Sequence, residues 1–202
     1  MLLFGTNLAQ SLAIQRMKQH TWHRGDALKV AKELCALLQP HCERLIVAGS
    51  LRRRRLIVGD VELLYIPKTS KQKDGFFDEI DLDHAEQAIQ SLLTAGIIDK
   101  RPNVNGHFTW GRQNKLAIHK ASGIPVDLFA TDEKRWWVSK VIRTGGKDTN
   151  LMLTTGAQKL GRKLHAYGAG FTDTDGSELV CCSEEDVFKH AGVPYQEPHM
   201  RT

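Results

Sequence analysis

The chain has 202 residues, 41% hydrophobic and 25% charged, with a net charge of +5; this supplies a real core, in one domain or two small lobes, and excludes a disordered or low-complexity array. Its apolar runs fall far short of the ~20 residues of a membrane span, and Met1-Leu2-Leu3-Phe4-Gly5 has no basic, long apolar leader, so a soluble, cytoplasmic protein is expected, in the host cytoplasm if the source is viral. Four cysteines without a Cys-x-x-Cys pair suit reduced thiols rather than disulfides or zinc, and the basic balance favours a polyanionic partner.

The first twenty-four residues are expected to add a helix. Over residues 26–39, Leu28, Val30, Ala31, Leu34, Leu37 and Leu38 recur at helical spacing, with Asp26 as N-cap and Pro40 as the stop. Short β runs follow at 44–48 and 58–66, the second closing at Pro67. Between them lies Ala48-Gly49-Ser50-Leu51-Arg52-Arg53-Arg54-Arg55. A strand ending in Gly-Ser brings backbone N–H groups, a hydroxyl and guanidinium groups to one place, which is the make-up of a phosphate cradle. Ser50, Arg53 and Gly59 are the candidates to hold phosphate, with Arg53 ahead of its three neighbours, because one turn points only some of four consecutive residues at one ligand. Asp60 and Glu62 stand two apart, so a strand would place both carboxylates on one face, where they repel unless a cation lies between them.

Residues 68–81 are charged and contain Gly75, and they read as a surface loop with a basic start, Lys68, Lys71 and Lys73. Asp83 then caps a helix ending before Gly96, whose buried stripe is Ala85, Ala88, Ile89, Leu92 and Leu93. Further β runs are predicted near 97–101, 107–111 and 114–119, and the turn Ala121-Ser122-Gly123 leads into a last one at 124–130. Within it Asp127 stands amid Val126, Leu128 and Phe129. An acid there is costly unless it faces water, a cation or a donor, so it supplies a third carboxylate.

Thr131 is the expected lobe boundary. Beyond it the chain is helical and basic, with Trp136, Trp137 and Val141 as a packing stripe and Thr144-Gly145-Gly146 as a break. A second helix is expected from Asp148 to Gly161, then turns, a polar loop at 172–177, and a short helix led by Ser183-Glu184-Glu185-Asp186. Basic residues collect at 52–55 and again at Lys134, Arg135, Lys140, Arg143, Lys147, Lys159, Arg162 and Lys163.

This ordered series resembles the family X DNA polymerases, the group of DNA polymerase beta within the nucleotidyltransferase superfamily. The resemblance is carried by Gly49-Ser50-Leu51-Arg52-Arg53, by Asp60-x-Glu62 ten residues after the serine, and by Ile124-Pro125-Val126-Asp127-Leu128. Further along it is carried by Arg143-Thr144-Gly145-Gly146-Lys147 with Asn150, by Gly161-Arg162-Lys163-Leu164-His165-Ala166-Tyr167, and by Ser183-Glu184-Glu185-Asp186-Val187-Phe188 with Pro194-Tyr195 and Glu197-Pro198. It covers roughly residues 24–202 and implies an α+β fold, a nucleotidyltransferase palm with a mixed sheet flanked by helices, and a small C-terminal α/β lobe. The implied division is an N-terminal helical segment at 1–43, a catalytic palm at 44–131 and a nucleotide-selecting subdomain at 132–202. The family's N-terminal lyase domain and paired helix-hairpin-helix motifs have no counterpart, so a minimal core is expected.

The resemblance implies a DNA-directed DNA polymerase that adds dNMP to a primer 3′-hydroxyl, with short-gap filling in repair as its setting. Asp60, Glu62 and Asp127 are then the catalytic residues and the ligands of two Mg²⁺ ions, with Mn²⁺ as a substitute, about 3.5–4 Å apart. Gly49, Ser50, Arg53, Gly59, Gly145, Lys147 and Asn150 are the nucleotide-binding set. The expected partners are dNTP and gapped or primer-template DNA, with no membrane, and the protein is expected to be a monomer. Four positions depart from the family: Glu62 where the polymerases usually carry aspartate, Ile142-Arg143 in place of an aromatic pair, and Thr154 in place of an arginine that reaches the template. Glu62 and Ile142-Arg143 keep open a nucleotidyltransferase acting on RNA, protein or a small molecule. A noncatalytic nucleic-acid-binding module is the third reading, and three acids oppose it, since they repel a polyanion.

Overall fold

The fold is that of a computed structural model describing residues 21–74, 78–166, 168 and 170–202. The helix expected in the first twenty-four residues falls almost wholly outside these, as do Gly75 and Tyr167. Strand β1 (Trp22–His23) leads into helix α1 (Arg24–Leu38). His23, not Asp26, caps this helix: its Nδ1 accepts the Gly25 N–H at 3.3 Å. Asp26 sits in the first turn, where it pairs with Lys29 and favours the positive end of the helix. Pro40 is the second residue of a single 3₁₀ turn, Gln39–His41, by which the chain leaves α1.

Next come β2 (Cys42–Val47), the one-turn helix α2 (Gly49–Arg52), β3 (Ile57–Val58) and β4 (Val61–Pro67). The run expected at 58–66 is thus two strands. β3 pairs with β1 outside the main sheet, the chain breaks at Gly59-Asp60, and β4 enters the main sheet beside β2. Asp60 therefore stands in the connection just ahead of the strand that carries Glu62.

The main sheet has the order β2-β4-β9-β8-β7, where β7 is Ile98–Lys100, β8 Asn114–His119 and β9 Pro125–Ala130. β4 and β9 run parallel and the other pairs antiparallel, so the sheet is mixed, as expected. Parallel neighbours need a crossover. It is made by β5 (Thr69–Asp74), β6 (Asp78–Asp83) and α3 (His84–Thr94). The predicted loop at 68–81 is in fact the ribbon β5–β6, in which Lys71 faces Asp81 across the strands and pairs with it at 2.8 Å. Residues 69–72 are exposed, so no apolar alternation announces the strand. Asp83 does cap α3, its Oδ1 accepting the Glu86 N–H at 2.8 Å. The run expected at 107–111 forms only isolated bridges, Pro102 with Phe108 and Trp110 with Lys115.

Helices α1 and α3 cover one face of the sheet. Ala31 and Leu34 from α1 and Ile89 from α3 pack there on Val61, Leu63, Ala117, Val126 and Leu128. The two-residue period of β4 then turns Glu62, Leu64 and Ile66 to the opposite face. That face meets α4 (Trp136–Thr144): Leu64, Ile66 and Phe129 cluster with Ala48 and Trp136. Trp136 is only 4% exposed, so it packs rather than offering a stacking surface.

The remaining elements are α5 (Lys147–Lys159), a small sheet of β10 (Lys163–His165), β11 (Gly170–Thr172) and β12 (Glu178–Leu179), and α6 (Glu184–His190). The polar stretch 172–177 serves as the turn between β11 and β12. A second core, with Val141, Leu153, Phe171 and Phe188 at its centre, joins these elements to α4. Glu184 binds the two cores together. Its carboxylate takes the Arg52 fork from α2, Lys140 from α4 at 2.9 Å, and the fully buried Arg201 at 2.6 Å.

Candidate active site

Glu62 and Asp127 are direct register partners on the parallel strands β4 and β9, so their carboxylates rise side by side from one face of the sheet. Burial, with the charges of Asp60 and Asp127, pushes the Glu62 carboxyl up to about 8. Burial likewise pushes Asp127 up to about 6, although the Arg101 guanidinium opposes this. Asp60 is also raised, chiefly by burial, against the pull of Arg101 and Arg53. These three groups feel one another, and their charge is costly without a cation.

Part of that compensation is internal. Arg101, just past β7, donates through Nη2 to Asp127 Oδ1 and through Nε to the Ala117 carbonyl at 3.1 Å. Arg143, in the last turn of α4, also lowers both Glu62 and Asp127. Among the described residues no three His, Cys, Asp or Glu side chains are drawn together so as to hold a metal ion. The donor chemistry nevertheless suits a hard cation such as Mg²⁺, because it consists only of carboxylate oxygens whose mutual repulsion a cation relieves.

Beside the acids lies the Gly-Ser turn. Gly49 has φ +58°, in the left-handed region, and a Cβ there would stand 2.5 Å from Glu62 Oε1. Glycine is thus required twice over, by backbone conformation and by the approach of the carboxylate. Ser50 Oγ and Arg53 Nε are buried polar atoms with no hydrogen-bond partner, an arrangement that is costly unless a ligand completes it. The four arginines separate. Arg52 turns to Glu184 and Thr144, Arg54 is exposed with φ +61°, and Arg55 donates to the Arg201 carbonyl at 2.9 Å. Arg53 alone adjoins both Glu62 and Asp60 electrostatically. Its Nη1 donates to the Thr144 and Gly145 carbonyls at 2.6 and 2.9 Å, tying the turn to the end of α4. Gly59 is exposed, with open space where a Cβ would lie.

Around the α4–α5 break the candidates are differently engaged. A Cβ on Gly145 would meet Asn150 Oδ1 at 2.6 Å, so this glycine makes room for the Asn150 amide. Asn150 Nδ2 donates to the Ile142 carbonyl at 3.0 Å, and its Oδ1 is buried without a hydrogen-bond partner. Lys147 is exposed at the first position of α5. Thr154 closes a bond to the Asn150 carbonyl within the same helix at 2.9 Å.

The acids, the Gly-Ser turn and the α4–α5 break therefore converge, whereas Gly59 and Lys147 lie at the margin. The sequence reading missed Arg101 on Asp127 and the pairing of Arg52 with Glu184. Neither has a local signal: Arg101 acts 26 residues from its partner and Arg52 132 residues from its own.

Residues 141–202 match the family described as DNA polymerase beta thumb. In an alignment of 171 positions that covers 77% of the chain and 28% of the relative, the chain is 26% identical to DNA polymerase lambda of Rattus norvegicus.

Proposed function

We propose, from the kinship of this chain with the family X DNA polymerases, that it carries the nucleotidyl-transfer core of a DNA-directed DNA polymerase acting at short gaps. The observation that supports this reading is the juxtaposition of two unsatisfied phosphate-type donors, Ser50 Oγ and Arg53 Nε, with the acids of β4 and β9. A triphosphate laid in the Gly-Ser turn would answer those donors. Asp60, Glu62 and Asp127 would hold Mg²⁺ or Mn²⁺, which when bound neutralises phosphate charge and lowers the pKa of a coordinated hydroxyl. The primer 3′-oxygen forms a bond to the α-phosphorus, the α–β bridging bond breaks, and pyrophosphate leaves. The hydroxyl proton passes to Asp127, which stands beside Glu62 on the same face of the sheet. Arg101 steadies the carboxylate. Gly145, Lys147 and Asn150 would face the incoming nucleotide, with residues 44–131 as palm, 132–202 as the nucleotide-selecting lobe, and a cytoplasmic monomer as the working form.

A second reading, nucleotidyl transfer to RNA, protein or a small molecule, draws support from Arg143 beside the acids, where the polymerases carry an aromatic residue. One assay separates the two. The protein is incubated with Mg²⁺, labelled dNTPs or rNTPs, and gapped DNA, primer-template, single strand or tRNA, alongside Asp127→Ala. Incorporation of dNMP into gapped DNA is expected, with roughly 100-fold or greater loss in the variant. Incorporation into RNA alone would overturn the polymerase reading, and full activity of the variant would overturn the carboxylate mechanism.

A further inference from the structure

The face of the sheet that bears Glu62 and Asp127 does not end at the acids. Two residues on, or about 7 Å along the strands, Leu64 and Phe129 form the floor of a cavity of about 470 Å³ between β4, β9, the start of β8 and α4. This is within the range of small-ligand sites. Its walls are built for a particular chemistry. The Arg143 guanidinium carbon lies over the Phe129 ring, 3.5 Å from its centroid, both residues lining the cavity, and Arg143 Nη2 donates to Asn114 Oδ1 at 3.2 Å. Arg112 and Gln113 stand at the mouth, exposed, and among the described residues no hydrogen bond engages the Arg112 guanidinium or the Gln113 side-chain amide. Asp81 feels Arg112 electrostatically, but its ion pair is with Lys71. Of the two acids in the lining, Asp83 caps α3 by accepting the Glu86 N–H and Asp132 pairs with Arg135.

We propose that this cavity is a second nucleotide site, distinct from the Gly-Ser turn, that takes a nucleoside 5′-monophosphate unit. The base extends the Phe129–Arg143 stack, as bases do on arene and guanidinium planes. The Asn114 and Gln113 amides reach its polar edge, and Arg112 pairs with the phosphate as a bidentate donor. Such a unit arrives either as a free mononucleotide or as the 5′-phosphorylated end of a strand. Because the cavity is bounded on one side by the sheet and on the other by α4, its occupant would fix the angle between them. The assignment of a nucleotide class does not depend on polymerase activity; only the strand-end source rests on that reading.

Calorimetric titration of the full chain without divalent metal tests the site directly. With dAMP as probe, saturable binding is expected, weakened at least 10-fold by Arg112→Ala and by Gln113→Ala. Both substitutions at the mouth are at exposed positions, so folding should survive, and circular dichroism checks it. A parallel arm compares short single strands with and without a 5′-phosphate: tighter binding of the phosphorylated strand, sensitive to Arg112→Ala, identifies the strand end as the source, and equal binding identifies the free nucleotide. No saturation by dAMP or by either strand would overturn the proposal, as would binding lost in Ser50→Ala but not in Arg112→Ala, which would put the nucleotide in the turn. These readouts need no catalysis, so failure of the polymerase reading leaves them interpretable.

Discussion

The two glycines flanking the arginine run make opposite demands, although both were assigned to nucleotide binding. Gly49 combines a positive φ with a Cβ position inside the Glu62 carboxylate, whereas Gly59 is surrounded by open space. A left-handed conformation costs a non-glycine residue roughly 1–2 kcal/mol before any clash. Gly49→Ala is therefore expected to lower the urea midpoint by at least that equivalent, and to reduce nucleotidyl transfer further by displacing Glu62. Gly59→Ala should alter stability by less than about 0.5 kcal/mol, so that any loss of dNTP affinity in it reports the phosphate role alone. Equal midpoints for the two variants would show that the Glu62–Gly49 contact does not constrain the fold. The pair also shows the reach of local reading: a Gly-Ser after an apolar strand signals a cradle, but the carboxylate that demands glycine comes from the next strand.

Helix α5 carries Gly156 in its interior, where glycine is worse than alanine by about 1 kcal/mol in propensity. Packing reverses the sign, because a Cβ there would meet the Ala191 carbonyl oxygen at 2.4 Å and Val193 at 2.7 Å. Backbone is the obstacle, and it cannot rotate away as a side chain does. Gly156→Ala should thus destabilise the C-terminal elements, and a raised urea midpoint would show that the α5–α6 contact yields. At this scale the sequence was legible where an element buries one face. α3, with Ala85, Ile89 and Leu92 inward and Asp83 as cap, matches its periodicity, and β9 matches its alternation. It was illegible where burial is absent, as at the exposed residues 69–72 of β5, or where strands run only two or three residues, as in β10–β12. Arg52 fails for a third reason: four arginines in a row look alike, and only tertiary contact sends one to Glu184 and another to the Thr144 carbonyl.

Across the whole molecule, the acids of the sheet and Glu184 pull stability in opposite directions with pH. Burial, then the neighbouring acids, lifts Glu62 from 4.5 to about 8. The folded state then holds a proton that the unfolded chain has lost, so this contribution is complete below 4.5 and disappears as pH rises to about 8. Asp127, lifted to about 6 first by burial, acts in the same sense. Glu184 does the reverse. Burial pushes it up, but hydrogen bonds from Arg52, Lys140 and Arg201 outweigh that and hold it at about 2. Its contribution is present above 4.5 and is lost as pH falls towards 2, and with it goes the joint between the two cores. At about 1.4 kcal/mol for each tenfold change in proton affinity, the acid limb is worth roughly 3 kcal/mol and the alkaline limb, to which both Glu62 and Asp127 contribute, more. In chelator, the melting temperature should peak in mild acid, near pH 4.5 to 5, despite a pI of about 9.1. Glu62→Gln should flatten the alkaline limb and leave the acid one. Glu184→Gln should flatten the acid limb while lowering the whole curve by roughly 3–5 kcal/mol, because Arg201 and Arg52 lose a buried partner. Mg²⁺, which binds the ionised acids, should raise only the alkaline limb. A metal-free optimum above pH 7, or an alkaline limb unchanged by Glu62→Gln, would mean that the acids of β4 and β9 do not share one buried field.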